Sequence, residues 1–132
     1  MSEVKQQLWY TEEHEWVERT EAGTVRMGIT DFAQHQLGDI VFVELPAEGA
    51  AIAQGAEIGT IESVKTVSDL FAPVTGTVLR LNEALESTPE LVNESPYEKG
   101  WMIEVEIGSD VEEALGKLLT ADEYKKLTAD ES

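Results

Sequence analysis

Between Arg26 and Arg80 the chain holds one lysine or arginine, Lys65, set in Glu62-Ser63-Val64-Lys65-Thr66-Val67-Ser68-Asp69. A lysine that reacts as a nucleophile needs a depressed pKa, produced by burial or by neighbouring cations. Glu62 and Asp69 would act in the opposite direction. A lysine that is acylated needs neither: its flexible stem extends from the backbone, and an acyl group on Nζ lengthens the reach while removing the charge. A lone surface lysine is ordinarily a solvated charge. The residues by themselves leave that reading standing beside the acylated one.

Other chemistries find little support. The chain has no cysteine, so it has no thiolate nucleophile, disulfide or protein dithiol, and any redox chemistry must come from an attached group. His14 and His35 are the two histidines, and neither has a second ligand at metal-site spacing. No metal site is expected. Glu12-Glu13 and Glu112-Glu113 read as solvated faces, without the positional pattern of an oxygen-ligand loop. There is no Gly-x-Ser-x-Gly and no phosphate-cradling glycine loop. Paired carboxylates could do acid–base work, but among 27 acidic residues such pairs arise by chance. No catalytic residue is assigned, and the chain is expected not to be an enzyme.

The 27 acidic residues stand against 9 lysines and arginines, a formal net charge of −18. Such a surface repels phosphate backbones and anionic lipid, which argues against nucleic-acid or membrane partners. The charge fits solubility, and also steering toward basic partners. No apolar run could span a bilayer, and residues 1–5 lack a signal-peptide pattern, so the bacterial cytoplasm is the expected location.

At 132 residues a single domain over 1–132 is expected. Alternation around Glu21-Ala22-Gly23 predicts a hairpin with Gly23 in the turn. Thr30 can cap a helix over 31–37 that Gly38 stops. From about 39 to 107 the pattern predicts short strands at 40–45, 57–62, 67–72, 77–81 and 101–107, separated by glycine, proline and asparagine. Many short strands at close spacing indicate a mainly β sandwich or barrel. Over about 109–128 the chain reads as helical, with capping-box spacings at Ser109/Glu112 and Thr120/Glu123. Val111, Leu115, Leu118 and Leu119 form its apolar stripe, continued by Tyr124 and Leu127 after a break near Thr120.

Four segments, in order, resemble the lipoyl-carrying H protein of the glycine cleavage system. They are Tyr10-Thr11-Glu12-Glu13-His14-Glu15-Trp16-Val17; Gly28-Ile29-Thr30-Asp31-Phe32-Ala33 running to Leu37-Gly38-Asp39-Ile40-Val41-Phe42-Val43-Glu44-Leu45-Pro46; Ile61-Glu62-Ser63-Val64-Lys65 with Ser68-Asp69 and Ala72-Pro73-Val74-Thr75-Gly76; and Asn93-Glu94-Ser95-Pro96-Tyr97 with Gly100-Trp101. The last looks like the element that separates this family from other lipoyl domains.

The resemblance implies a barrel-sandwich hybrid with Lys65 at the exposed tip of a hairpin, a turn that propensity alone does not place because neither Gly nor Asn flanks the lysine. It implies covalent lipoate on Lys65, with Glu62 and Gly76 matching the positions to which lipoylating enzymes are sensitive. The partners implied are a pyridoxal-phosphate glycine decarboxylase, a tetrahydrofolate-dependent aminomethyltransferase, a flavin-dependent dihydrolipoamide dehydrogenase and a lipoyl-attaching enzyme. In the family the loaded arm folds against acidic residues matching Glu15 and Asp69, while Glu13 stands where some relatives have a small hydroxyl residue. Such a site is suited to a cationic, hydrolysis-prone aminomethyl arm. Rival readings are a biotinyl domain, which usually has methionines where Val64 and Thr66 stand; a lipoyl domain of a 2-oxoacid dehydrogenase, normally tethered by a linker; and a lipoyl relay protein serving other complexes.

Overall fold

A computed structural model describes residues 3–21, 23–108 and 110–131. The N-terminal hairpin forms as the alternation predicts. Strands β2 (Glu15–Glu21) and β3 (Thr24–Ile29) pair antiparallel, and Gly23 takes φ 86° at the turn, a conformation open to glycine. Trp16 lies flat against Gly28, its cross-strand partner: a Cβ at Gly28 would stand 2.9 Å from the indole. The glycine thus supplies the recess that buries a large aromatic ring, whose Nε1 donates to Pro96 O at 2.8 Å.

Thr30 then starts α1 (Asp31–Leu37) by accepting from Ala33 N, and Gly38 ends it at φ 85°, both as expected. Next come β4 (Ile40–Glu44), β5 (Ala51–Ile52), β6 (Glu57–Ser63), β7 (Val67–Phe71) and β8 (Gly76–Leu81). Two four-residue helices, α2 (Ala84–Ser87) and α3 (Leu91–Glu94), precede β9 (Ile103–Glu106), followed by α4 (Val111–Gly116) and α5 (Ala121–Glu131). A two-residue strand β1 (Trp9–Tyr10) opens the order. The sequence pattern missed β1, β5, α2 and α3 because one turn or two residues leave no measurable periodicity.

The strands form two antiparallel sheets, one ordered β1-β2-β3-β9-β8-β5 and the other β4-β6-β7. Their inner faces meet in one apolar core, with Val17, Val25, Met27 and Val105 from the larger sheet against Val43, Ile61 and Leu70 from the smaller. Along the smaller sheet alternation sends these residues inward while their neighbours turn toward water; in the larger sheet Trp16 and Glu104, neighbours of Val17 and Val105, are buried as well. Helix α4 adds Val111 and Leu115 to that core. Its cap is Asp110, whose side chain accepts from Glu112 N; the alternative cap, Ser109, lies outside the described residues.

Helix α5 carries the expected capping box: Thr120 N donates to Glu123 Oε1 at 2.9 Å and Glu123 N to Thr120 Oγ1 at 3.2 Å. The helix closes a second cluster of Leu8, Tyr10, Trp16, Tyr97, Ala121 and Tyr124. Tyr10 and Tyr124 stack at 4.5 Å. Just before α5, Leu119 exchanges backbone hydrogen bonds with Tyr10, covering the edge at β1.

Thr30 ties these parts together, since its hydroxyl caps α1 and also lies 2.7 Å from the Tyr124 hydroxyl of α5. Thr30→Val keeps the shape and deletes both interactions. It is expected to cost about 2 kcal/mol, read as a lower urea midpoint at unchanged m.

Candidate functional site

Strands β6 and β7 form a hairpin whose turn contains Lys65, and the lysine is exposed. The turn needs no glycine because Ser63 builds it. Ser63 N donates to Thr66 O at 2.8 Å, while Ser63 Oγ accepts from both Lys65 N and Thr66 N at 3.1 Å. This is a serine turn, in which a hydroxyl does locally what glycine or asparagine does by conformation. A serine two residues before the lysine was therefore the sequence signal for this turn.

The tip is also tied to the body. Val64 N donates to Asp39 O at 3.0 Å, and the stem of Lys65 runs beside Gly38, whose absent Cβ would sit 3.6 Å from Lys65 Cε. Gly38 and Ile40 are in turn held by Asn93, which donates to Gly38 O (2.9 Å) and Gln34 Oε1 (3.0 Å) and accepts from Ile40 N (2.9 Å). The Asn93 segment, noted above only as a motif, thus positions the platform beneath the lysine.

Beside the hairpin opens a cleft of about 300 Å³ lined by residues that include Glu13, His14, Glu15, Phe32, Thr66 and Asp69. Glu15 and Asp69, far apart in sequence, therefore share one cleft with the residue that follows the lysine. Glu15 is only 2% exposed. Its Oε2 accepts from Phe71 N at 2.9 Å, crossing from the larger sheet to the edge strand of the smaller one, and Thr11 Oγ1 approaches Oε1 at 3.4 Å. Burial pushes the carboxyl up to about 8 despite the opposing hydrogen bond from Phe71.

The loop before Glu15 is tightly held. Thr11 Oγ1 accepts from Glu13 N and Glu15 N, and His14 occupies the left-handed region at φ 64°. There His14 Nδ1 lies 2.8 Å from the Tyr124 hydroxyl and its ring packs against Phe32, so this histidine serves the fold. Asp69 is exposed on β7 opposite Thr60 and hydrogen-bonds Glu57; that bond, with the like charge of Asp69, holds the Glu57 carboxyl above its ordinary range.

Glu62 is exposed one residue pair from the turn, between Phe42 and Val67 of the adjacent strands. Gly76 opens β8, well outside the turn, where a Cβ would meet Glu106 O at 2.3 Å and Val105 Cγ1 at 2.8 Å. Its smallness is required by strand packing whatever else it does. The arginines that bracket the lysine interval, Arg26 and Arg80, are both drawn to buried Glu104, at 3.6 and 2.9 Å. No group of three or more His, Cys, Asp or Glu side chains that could hold a metal is found among the described residues, nor is any helix long and apolar enough to cross a membrane.

Two antiparallel sheets sharing one core, with a lysine displayed on the hairpin of the smaller, are a mainly β barrel-sandwich hybrid of the lipoyl-bearing type. The family model described as glycine cleavage H-protein matches residues 8–131. The glycine cleavage system H protein of Listeria monocytogenes serotype 4b is 60% identical over 121 residues, covering 91% of this chain and 94% of the relative. That of Halalkalibacterium halodurans is 56% identical over 133 residues, 99% of this chain and 100% of the relative. A crystal structure of a glycine cleavage system H protein from Mycobacterium marinum superposes with TM-score 0.86 at 38% identity, over 96% of this chain and 99% of that one. The chain belongs to the glycine cleavage H-protein family.

Two outcomes follow from this geometry. Because the folded protein holds the Glu15 proton more tightly than the unfolded chain, whose glutamate titrates near 4.5, this residue's contribution is most favourable below that pH and declines as pH rises toward 8. Glu15→Gln does not titrate, so its stability relative to the parent should grow from near zero at low pH to at most about 5 kcal/mol above pH 8, measured by urea unfolding across pH. Gly76→Ala should lose about 3 kcal/mol by the same measurement, because the Cβ is opposed by backbone.

Proposed function

We propose that this chain is the lipoyl carrier of a glycine cleavage system, with lipoate in amide linkage to Lys65 Nζ and the whole of 1–132 serving as one carrier unit. One observation of this structure carries the proposal: an exposed lysine on a rigid, hydroxyl-braced turn stands beside a cleft containing a buried carboxyl. The residues fit the group. The amine is open to an acylating enzyme, and the cleft of about 300 Å³ can receive part of an arm that folds back from the tip. The attached dithiolane would supply the sulfur chemistry that a cysteine-free chain lacks, accepting the aminomethyl unit of glycine together with a pair of electrons.

The chain's own residues then bind and shelter. Phe32 and Ile29 give the cleft an apolar wall that excludes water from a labile cargo. Glu15, pushed up to about 8, holds its proton at neutral pH while no cation is near. A cationic amine alongside would favour the ionised form, so Glu15 would release that proton and become the counter-ion. Asp69 supplies a second acidic group at the cleft. The partners are the glycine decarboxylase, aminomethyltransferase and dihydrolipoamide dehydrogenase of that system, with a lipoyl-attaching enzyme to load Lys65, all in the bacterial cytoplasm. Glu62 and Gly76 are assigned to recognition by that loading enzyme.

Intact mass after incubation with lipoyl ligase, ATP and lipoate should rise by one lipoyl increment, and Lys65→Arg should abolish the gain. Modification elsewhere rejects the site. Loaded protein should support decarboxylase-catalysed exchange of labelled bicarbonate into glycine. Failure of exchange by fully loaded protein would instead favour a lipoyl relay role.

A further inference from the structure

The large hydrophobic side chains left exposed among the described residues are Val41 (47%), Phe42 (52%), Val64 (68%) and Val67 (61%). They are not scattered. All belong to the small sheet or its Lys65 turn, and register aligns Phe42, Glu62 and Val67 as one row across β4, β6 and β7. Registered partners face the same side of a sheet, so a carboxylate stands between two apolar side chains. The row lies next to the Ser63–Thr66 pair that closes the turn. A register shift between Ile40 and Phe42 accompanies the exposure of both Val41 and Phe42, where strict alternation would have buried one.

Charge on this sheet is one-sided. Its strands carry Glu44, Glu57, Glu62 and Asp69 and no lysine or arginine, and Lys65 in the turn brings the cation. We propose that the Phe42–Glu62–Val67 row, with Val41 and Val64, is the docking surface for the enzyme that acylates Lys65. That enzyme would present an apolar socket for Phe42 and a basic side chain for Glu62. The proposal rests on the carrier reading above and adds Val41, Phe42, Val64 and Val67, together with the chemistry of the partner.

Reach selects this occupant. Val67 is two residues from Lys65, about 7 Å along a strand, and a lysine stem spans about 6 Å. An enzyme whose reactive centre meets Nζ therefore covers the row, whereas enzymes acting at the far end of an attached arm are held off by its length. In the step itself, Nζ attacks the carbonyl of an acyl adenylate; the C–N bond forms, the C–O bond to phosphate breaks, AMP leaves, and the ammonium releases two protons. Acylation also removes the positive charge of Lys65. The product surface is apolar and wholly acidic, and has lost the amine that the enzyme came to find.

The test uses the full unloaded chain with lipoyl ligase, ATP and lipoate, following intact mass against time. Phe42→Ser and Val67→Ser should each lower kcat/KM for the chain about tenfold through KM, with kcat unchanged. Glu62→Gln should do the same and flatten the fall in rate with added salt. Glu112→Gln on α4 should have no effect. Acetylation of Lys65 by a small activated ester, read by peptide mapping, should be equal in all folded variants, which separates docking from access to the amine. Lys65→Arg should compete with the parent for the ligase, and adding Phe42→Ser should remove that competition. Parent-like kcat/KM for Phe42→Ser and Val67→Ser overturns the proposal while leaving the carrier reading intact. A parent dimer that Phe42→Ser dissociates overturns it too, because the face would then belong to a second copy. A parent that the ligase does not acylate at Lys65, although the small ester does, overturns the carrier reading itself.

Discussion

A single hydrogen bond, from Phe71 N to the buried carboxyl of Glu15, joins the two halves of the site. Glu15 begins the second strand of the larger sheet, and Phe71 ends the edge strand of the smaller one. An edge-strand N–H that faces no neighbouring strand needs a partner, and a carboxyl taken out of water needs donors. Each group answers the other. The arrangement has a cost, visible in the upward displacement of the Glu15 pKa, because the one strong donor does not replace the water lost. A folded domain had cheaper ways to occupy this position, with glutamine or an apolar residue. Keeping an under-solvated acid at the wall of a cleft is a feature to be explained by what enters the cleft.

The lysine hairpin is fixed to that cleft by polar contacts rather than by apolar packing. Ser63 shapes the turn, Asp39 O receives Val64 N, and Asn93 locks Gly38 and Ile40 beneath the Lys65 stem. The side chains at the tip can therefore stay outside. Val64 and Val67 are exposed without loosening the strands that carry them, because Ile61 and Leu70 make the inward contacts. The result is a rigid display: a turn with little freedom holding one long, mobile side chain. For the attachment proposed above that separation is useful, since an arm on Lys65 could search while its root stays fixed.

Much of this was legible in the residues. The N-terminal hairpin, the Thr30-to-Gly38 helix, five of the strands and the Thr120/Glu123 capping box follow from alternation, caps and breakers, which are local rules. The conspicuous isolation of Lys65 could be read as well, and the structure accounts for its neighbours in charge: Arg26 and Arg80 converge on Glu104, across the registers Arg26–Glu104 and Arg80–Glu104. Other features needed distance information. Residue pattern alone leaves Glu15 and Asp69 as acids among many; only the family resemblance points to them, and folding brings them to one cleft. Phe42 sat in a run of apolar residues, 40–43, that fits a buried strand, and the local shift in register turned it outward. Ser63 is the opposite case, a local signal: its hydroxyl shapes the turn by hydrogen bonds where glycine or asparagine would do so by conformation.

The acidity of the chain takes on a more definite meaning once the positions of its charges are known. Mutual repulsion among acids raises the free energy of the folded state, so a net charge of −18 is not a device for stability. Its placement is uneven in a way that matters. Two of the large sheet's cations, Arg26 and Arg80, are engaged by Glu104, while the strands of the small sheet bear only acids around a row of exposed apolar groups. An apolar surface of that kind invites self-association, and like charge surrounding it opposes the approach of a second copy while drawing in a basic partner. The same field favours a cationic arm in the cleft beside Glu15 and Asp69. One distribution of charge thus opposes the approach of a second copy and, under the carrier reading proposed above, would draw a basic enzyme to the tip and a positively charged cargo to the body.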